Sequence, residues 1–338
     1  MQRLVEGAER IGLIRAVRPL HDRGRASLTV LAYHRVMHAG SPDSYPFDLE
    51  LISATPAEFE WQMQYIRENM NAVSLEQVLA HLEGGAPLPR NAVAVTFDDG
   101  FSDTYDCAFP IVRRLGIPCT VFVTTGYVES GEPFWFELAA YLMMKIPQGA
   151  IELAEWPQPL PYGSSAQERR RSLKRLLRVL KTLPDARRTA LIQEWTARFA
   201  PQIDPDLAKL SRPVTWAEIA EMGRNGVGFG SHTVSHPNLR QLAEADLSRE
   251  LSESKRALER QLGAEVALLA YPIGTPAAYD QRVIEAARAT GFRLAVSYTP
   301  GANWQNALDR FEIRRHGIGL GTTRSYFRAL TAVPAWVP

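Results

Sequence analysis

Two adjacent carboxylates, Asp98 and Asp99, close the apolar run Ala92-Val93-Ala94-Val95 in the segment Thr96-Phe97-Asp98-Asp99-Gly100. Neighbouring residues at a strand end point in opposite directions, so one carboxylate can hold a cation while the other reaches a different atom. Gly100 lets the backbone turn sharply beyond them. Downstream, Ser231-His232-Thr233-Val234-Ser235-His236 carries two imidazoles separated by three residues, after the glycine-interleaved Gly226-Val227-Gly228-Phe229-Gly230. Two histidines and one carboxylate, with a position left open for water, are the protein ligands of many catalytic zinc sites. Singly, these segments read as an acidic turn and a pair of loop histidines. Together, at the ends of separate strands, they read as a metal site.

These segments resemble the motifs of the polysaccharide deacetylase family, metal-dependent carbohydrate esterases. Thr96-Phe97-Asp98-Asp99-Gly100 is similar to the family's first motif, and His232-Thr233-Val234-Ser235-His236 to its second, His-Ser/Thr-x-x-His. Tyr271-Pro272-Ile273-Gly274 resembles the third, Arg-x-Pro-Tyr-Gly, and Tyr33-His34 a start found in the exopolysaccharide branch. The resemblance implies Asp99, His232 and His236 as ligands of a divalent metal, most commonly zinc, and Asp98 as catalytic base. It further implies a distorted (β/α)7-type barrel and hydrolysis of the acetamide of an N-acetylhexosamine. Two positions depart from the pattern. Ala270 stands where relatives carry an arginine that orients the base, and the C-terminal Leu-x-His motif has its nearest match in Phe311-Glu312-Ile313-Arg314-Arg315-His316.

Amide hydrolysis needs an activated water, a stabilised oxyanion and a proton for the departing amine. A bound divalent ion supplies the first by lowering the pKa of water, and Asp98 within hydrogen-bond reach would take its proton. The backbone N–H of Tyr271 is the oxyanion donor that the resemblance implies. His34 and His316 are the candidate proton donors. Arg35, Arg314 and Arg315 are candidates to replace the missing arginine beside Asp98, against the plainer reading of solvated surface arginines.

The surrounding sequence alternates strand and helix, which predicts a parallel sheet with its chemistry at the C-terminal strand ends. Strands are expected over 27–32, 92–97, 120–125, 267–271 and 294–297. Helices are expected over 55–69, 74–81, 102–115, 216–222, 239–262 and 280–290. Thr215 with Glu218 forms a capping-box signature. The alternation lapses over 127–212, so the domain reading is an N-terminal helical extension over 1–26, a barrel over 27–126 and 213–338, and a helical insertion over 127–212. In that insertion Arg169, Arg170, Arg171, Lys174, Arg175, Arg178 and Lys181 lie beside Leu173, Leu176, Leu177 and Leu180 at helical spacing. Such a helix reads as a solvated basic face, or as peripheral membrane contact for a lipid-linked sugar substrate. Phe134, Trp135, Phe136 and Trp304 are candidate sugar platforms.

The net charge of +1 over 338 residues argues neither for nor against nucleic acid, but no zinc-finger, recognition-helix or aromatic-plus-basic stacking pattern is present, so no nucleic-acid partner is expected. The first ten residues lack a signal-peptide apolar core, and no run approaches the roughly 20 apolar residues of a spanning helix; the expectation is a cytoplasmic protein. Cys107 and Cys119 read as reduced thiols. Two further functions fit the pattern: a hydrolase of small cyclic amides on the same fold, and a non-catalytic glycan-binding protein.

Overall fold

The computed structural model describes residues 26–147, 149–152, 158–199, 203–204 and 207–334, together with Gly7. The expected N-terminal helix therefore lies outside the described residues, apart from Gly7 and Ala26.

Apolar runs set the strands and capping residues set the helices between them. Strand β1 (Ser27–Tyr33) leads to the short pair β2 (Arg35–Val36) and β3 (Ile52–Ala54). Helix α1 (Pro56–Asn69) starts where the Thr55 hydroxyl accepts the Glu58 N–H, with proline at its first position. Then follow β4 (Asn71–Ala72), α2 (Leu75–Leu82) and β5 (Ala92–Phe97), which is buried along its whole length. Ser74 and Gln77 form a reciprocal capping box on α2. The expected helix over 102–115 holds a π-turn at Thr104–Ala108 before α3 (Phe109–Leu115), and Gly116 ends it in the left-handed region. Strand β6 (Cys119–Val123) runs into α4 (Thr125–Ser130).

The next elements are α5 (Trp135–Lys145), the hairpin β7 (Gly149–Ile151) and β8 (Leu160–Tyr162), α6 (Ala166–Leu180), α7 (Asp185–Arg198) and α8 (Leu207–Leu210). They enclose their own hydrophobic cluster, in which Phe134, Trp135 and Leu142 meet Leu173, Leu176, Leu177 and Leu180 of α6 and Trp195 of α7. Burying each such leucine contributes about 2 kcal/mol. The basic face of α6 is partly turned inward. Arg169 is buried and donates to the Met143 and Ile146 carbonyls at the end of α5. Arg170 donates to the carbonyls of Pro42, Tyr45 and Phe47, and Lys174 pairs with Glu50.

The strand–helix alternation then resumes with α9 (Trp216–Arg224), β9 (Gly228–Ser231), α10 (Glu244–Leu262), β10 (Leu268–Ala270), α11 (Gln281–Ala289) and β11 (Leu294–Val296). The chain continues through β12 (Asn303–Trp304) and β13 (His316–Gly317) to α12 (Arg324–Ala332). Gly230 in β9 has a packing reason: a Cβ there would lie 2.5 Å from the Phe122 ring and 2.9 Å from the Leu268 carbonyl.

Strands β1, β5, β6, β9, β10 and β11 pair in parallel in that order. The segment 313–317 supplies the seventh stave. Ile313 bridges Val296 of β11, and His316 pairs with Leu31 of β1, both in parallel. The sheet is thus a distorted seven-stranded α/β barrel whose last stave is held on each side by very few residues. No helix of the described residues is long and apolar enough to cross a membrane.

Candidate metal centre and its cavity

Asp98 and Asp99 sit where β5 ends, and the backbone turns at once: Asp99 has φ 70° and Gly100 φ 82°. The Asp98 N–H still donates to the Tyr33 carbonyl, which keeps Asp98 in register with the barrel, whereas the Asp99 carbonyl accepts from Thr124. The two carboxylates therefore face different partners, as adjacent strand-end residues must.

Asp99 meets the histidines. Its Oδ1 lies 3.6 Å from the Nε2 of both His232 and His236. All three side chains are buried, and their ligand atoms lie within 4.8 Å of one another. At 3.6 Å these are not hydrogen bonds. They match the roughly 3.4 Å between ligand atoms that two metal bonds of about 2.0–2.1 Å subtend at a tetrahedral angle. Asp99 Oδ1 has no hydrogen-bond partner although it is buried. The Nδ1 of His232 lies 2.8 Å from the Ala270 carbonyl. A carbonyl only accepts, so Nδ1 carries the proton and the Nε2 lone pair is free for a cation. Burial, with the charges of Asp98 and Glu137, pushes the Asp99 carboxyl well above its usual range, and burial pulls both imidazoles down. A divalent cation would relieve each of these penalties, so the residues present fit such an ion.

The loop bearing the histidines holds two non-glycine residues in the left-handed region, Thr233 at φ 70° and His236 at φ 56°. Glu250 of α10 fastens it. That carboxylate accepts the Val234 N–H at 2.8 Å, the Ser235 N–H at 3.0 Å and the Ser235 hydroxyl at 2.9 Å. On the other side Phe136 of α5 packs its ring against His236, with centroids 5.3 Å apart.

Asp98 meets Arg315. The guanidinium grips both carboxylate oxygens, Nη1 to Oδ1 at 2.6 Å and Nη2 to Oδ2 at 2.8 Å. Arg315 is itself held by the Ser297 carbonyl at 2.8 Å and the Thr96 hydroxyl at 3.1 Å. Burial opposes ionisation of Asp98, but Arg315, with His232 and His34, outweighs it and holds the carboxyl below its usual range. Of the three candidate arginines, Arg315 alone pairs with Asp98. Arg314 donates to the Pro300 carbonyl. Arg35 is buried and paired with Asp103 and Glu137, joining the barrel to the helices beyond β6.

Asp98, Asp99, His232 and His236 line one cavity of about 290 Å³, together with His34, Phe136, Lys181, Tyr271, Ile273 and Tyr298. Lys181 at the end of α6 lines it too, as do Asp48 and Glu50. His34 faces the cavity but is held neutral, because burial pulls its pKa down to about 4. His316 does not line it. Its Nε2 lies 3.1 Å from the Gly301 carbonyl, and its pKa is likewise lowered to about 4 by burial. The Tyr271 N–H donates to the Val296 carbonyl at 3.2 Å, a continuation of the β10–β11 pairing, and so is not free for an oxyanion. Two residues on, Ile273 adopts φ 64° in a turn closed by the Gly274 N–H on the Pro272 carbonyl at 2.6 Å. Such a φ is strained for a β-branched residue, and among the described residues the Ile273 N–H has no protein acceptor. Of the aromatic platforms, Phe134 and Trp135 are buried core, and Trp304 borders a separate cavity.

Comparison with known proteins identifies this architecture. A sequence model described as "Polysaccharide deacetylase" matches residues 85–295. YxkH of Bacillus subtilis (strain 168), named for the polysaccharide deacetylases, is 19% identical over 305 residues, 90% of this chain and 76% of that one. A poly-beta-1,6-N-acetyl-D-glucosamine N-deacetylase of Staphylococcus aureus is 28% identical over 109 residues, covering 30% of this chain and only 37% of its own length. Among solved structures, the Streptococcus pyogenes deacetylase PplD in complex with acetate superposes with a TM-score of 0.59, at 20% identity, over 90% of this chain and 97% of that one.

Proposed function

We propose that this chain, which belongs to the polysaccharide deacetylase family, is a metal-dependent N-deacetylase acting on N-acetylhexosamine units of a glycan. The observation that carries this reading is the meeting, in one cavity, of the trio Asp99, His232 and His236 with the Arg315-gripped carboxylate of Asp98.

Asp99, His232 and His236 would hold the ion, with zinc the natural occupant of two imidazoles and one carboxylate. When bound, it supplies Lewis-acid activation of water and of the amide carbonyl. Asp98 stays ionised beside Arg315 and takes the proton of the attacking water. The oxyanion that forms as the water oxygen joins the acetyl carbon is met by the Ile273 N–H, in place of the engaged N–H of Tyr271. Collapse breaks the C–N bond. The nitrogen leaves with the proton Asp98 has collected, giving a free amino sugar and acetate. His34 is neutral in the resting site, so we assign it to hydrogen bonding with substrate and give base and acid roles in turn to Asp98.

Purified protein stripped with chelator and reloaded with zinc should release acetate from N-acetylglucosamine oligomers and generate one free amine per acetate. Absence of metal-dependent acetate release from every N-acetylhexosamine substrate would overturn the reading.

A further inference from the structure

Of the described side chains that line the metal cavity, Lys181 is the one lysine or arginine. The acids around it already have their own work. Arg315 answers Asp98, Lys174 answers Glu50, and Asp99 belongs to the ligand trio. Asp48 spends its Oδ1 on the Glu50 N–H at 3.0 Å, capping the turn Leu49–Leu51. Unlike Lys174, Lys181 has no ion-pair partner among the described residues. Its place is nevertheless fixed. The Lys181 N–H donates to the carbonyl of Leu177, which lines the same cavity. The Lys181 carbonyl accepts from Nδ2 of the buried Asn238 at 3.1 Å, two residues beyond the ligand His236. The end of α6 is thereby tied to the histidine loop, and the charge of Lys181 acts on Asp99, His236, His34 and Asp48. A half-buried ammonium without a countercharge, held in a ligand cavity, is matched by an anion that arrives with the ligand.

We propose that Lys181 pairs with an anionic group carried by the substrate beside the reacting acetamide, so that the enzyme prefers acidic amino-sugar glycans, bearing a uronate carboxylate or a phosphate, over neutral ones. The inference rests on the deacetylase reading above and names its substrate class. The rest of α6 points the same way. Arg171, Lys174 and Arg178 precede Lys181 at spacings of three and four residues, which places them on one helical face, and all three are exposed. A row of cations that ends in the cavity concentrates an anionic chain there and aligns it. A lipid surface fits this helix less well. Leu173, Leu176, Leu177 and Leu180 are buried in the core of the insertion, so α6 has no apolar face left to lay into a bilayer.

The measurement is kcat/KM for acetate release on two matched pairs of substrates. One pair is methyl N-acetylglucosaminide and its 6-phosphate. The other is the tetramer of N-acetylglucosamine and a tetrasaccharide alternating N-acetylglucosamine with glucuronate. The ratio of anionic to neutral substrate within each protein cancels any general loss of activity, and the two pairs separate phosphate from carboxylate. Wild type should favour the anionic member of at least one pair by about tenfold or more, the discrimination of one charge-assisted hydrogen bond. Lys181→Gln should lose that preference, Lys181→Glu should reverse it and Lys181→Arg should keep most of it. Raising the salt concentration should shrink it in wild type, because the contact is between charges. No anionic preference in wild type, or a preference that survives in Lys181→Gln, overturns the inference and leaves the deacetylase reading intact. An equal loss on neutral and anionic substrates in Lys181→Gln also overturns it, since Lys181 would then serve the reaction itself. So does an unchanged ratio in Lys181→Gln with weakened binding to phosphatidylglycerol vesicles, which would assign the lysine to a membrane surface. Acetate from none of the four substrates overturns both readings.

Discussion

Arg315 holds Asp98 by both carboxylate oxygens, at 2.6 and 2.8 Å, from a stave on the far side of the barrel seam. Ala270 occupies the position from which relatives are expected to reach the base, and the guanidinium arrives instead from 45 residues further along the chain. The planar fork fits a carboxylate in a way an ammonium does not. Removing it leaves Asp98 buried without its main countercharge, so its pKa rises. Arg315→Gln should lower kcat/KM by roughly 10²-fold and move the acid limb of its pH profile upward. An unshifted limb would contradict the pairing.

Asp98→Asn keeps the shape of the carboxylate and removes its basicity. Turnover should fall by roughly 10²–10⁴-fold, while zinc binding, measured by titration calorimetry, is retained. The ligand trio does not include Asp98, so a comparable loss of zinc affinity would mean that it ligates the metal.

Glu250 touches no ligand side chain, yet it accepts the N–H groups of Val234 and Ser235 between the two histidines. Glu250→Ala should weaken zinc affinity by roughly 10–100-fold, the usual cost of losing an outer support, with kcat largely recovered at saturating zinc. The absorption of the cobalt-substituted protein would report the altered ligand geometry without reference to turnover.

Chelation should both abolish activity and lower thermal stability, because a ligand bound only by the native state stabilises it by mass action. The ligands must be deprotonated to bind, and burial already favours the proton on Asp99. Zinc affinity should therefore weaken steeply as the pH falls.

Arg35 faces two buried carboxylates, Asp103 and Glu137, with one positive charge. Glu137 bears the deficit. Burial raises its pKa to about 7 despite Arg35 and Ser211, while the same two acids raise Arg35. Its native pKa exceeds that of an unfolded glutamate, so the stability it contributes is complete below the unfolded value and is lost as the pH rises through about 7. Glu137→Gln should remove this dependence. The melting temperature of the wild type relative to the variant should fall by roughly 5 °C between pH 5 and pH 8; a constant difference would contradict the shift.

Strand β5 and two helix caps were legible because their signals are local: an unbroken apolar run, and Ser74 and Thr215 one residue before their helices. The meeting of one carboxylate of the Asp98-Asp99 pair with His232 and His236 was legible from residue type and strand-end position, and the resemblance named Asp99 as that carboxylate. Arg315 was visible only as one of three arginines, because the stave that carries it reads Arg314-Arg315-His316 and lacks an apolar run. Glu250 lay in a helix rich in charge, where nothing local separates a buried acceptor from a solvated acid. The engaged N–H of Tyr271 depends on register with β11, which sequence does not specify. The basic stretch of α6 read as an outward face because the carbonyls that take Arg169 and Arg170 come from distant segments.

Residues 313–317 close the barrel and deliver Arg315 in the same stroke. They also follow every other stave in the chain, so synthesis presents them last. A nascent or clipped chain that has already gathered Asp98, Asp99, His232 and His236 would still lack the grip on its base. Closure of the barrel and the grip on Asp98 thus depend on the same five residues, so a disturbance of this seam should reach activity before it reaches the rest of the fold.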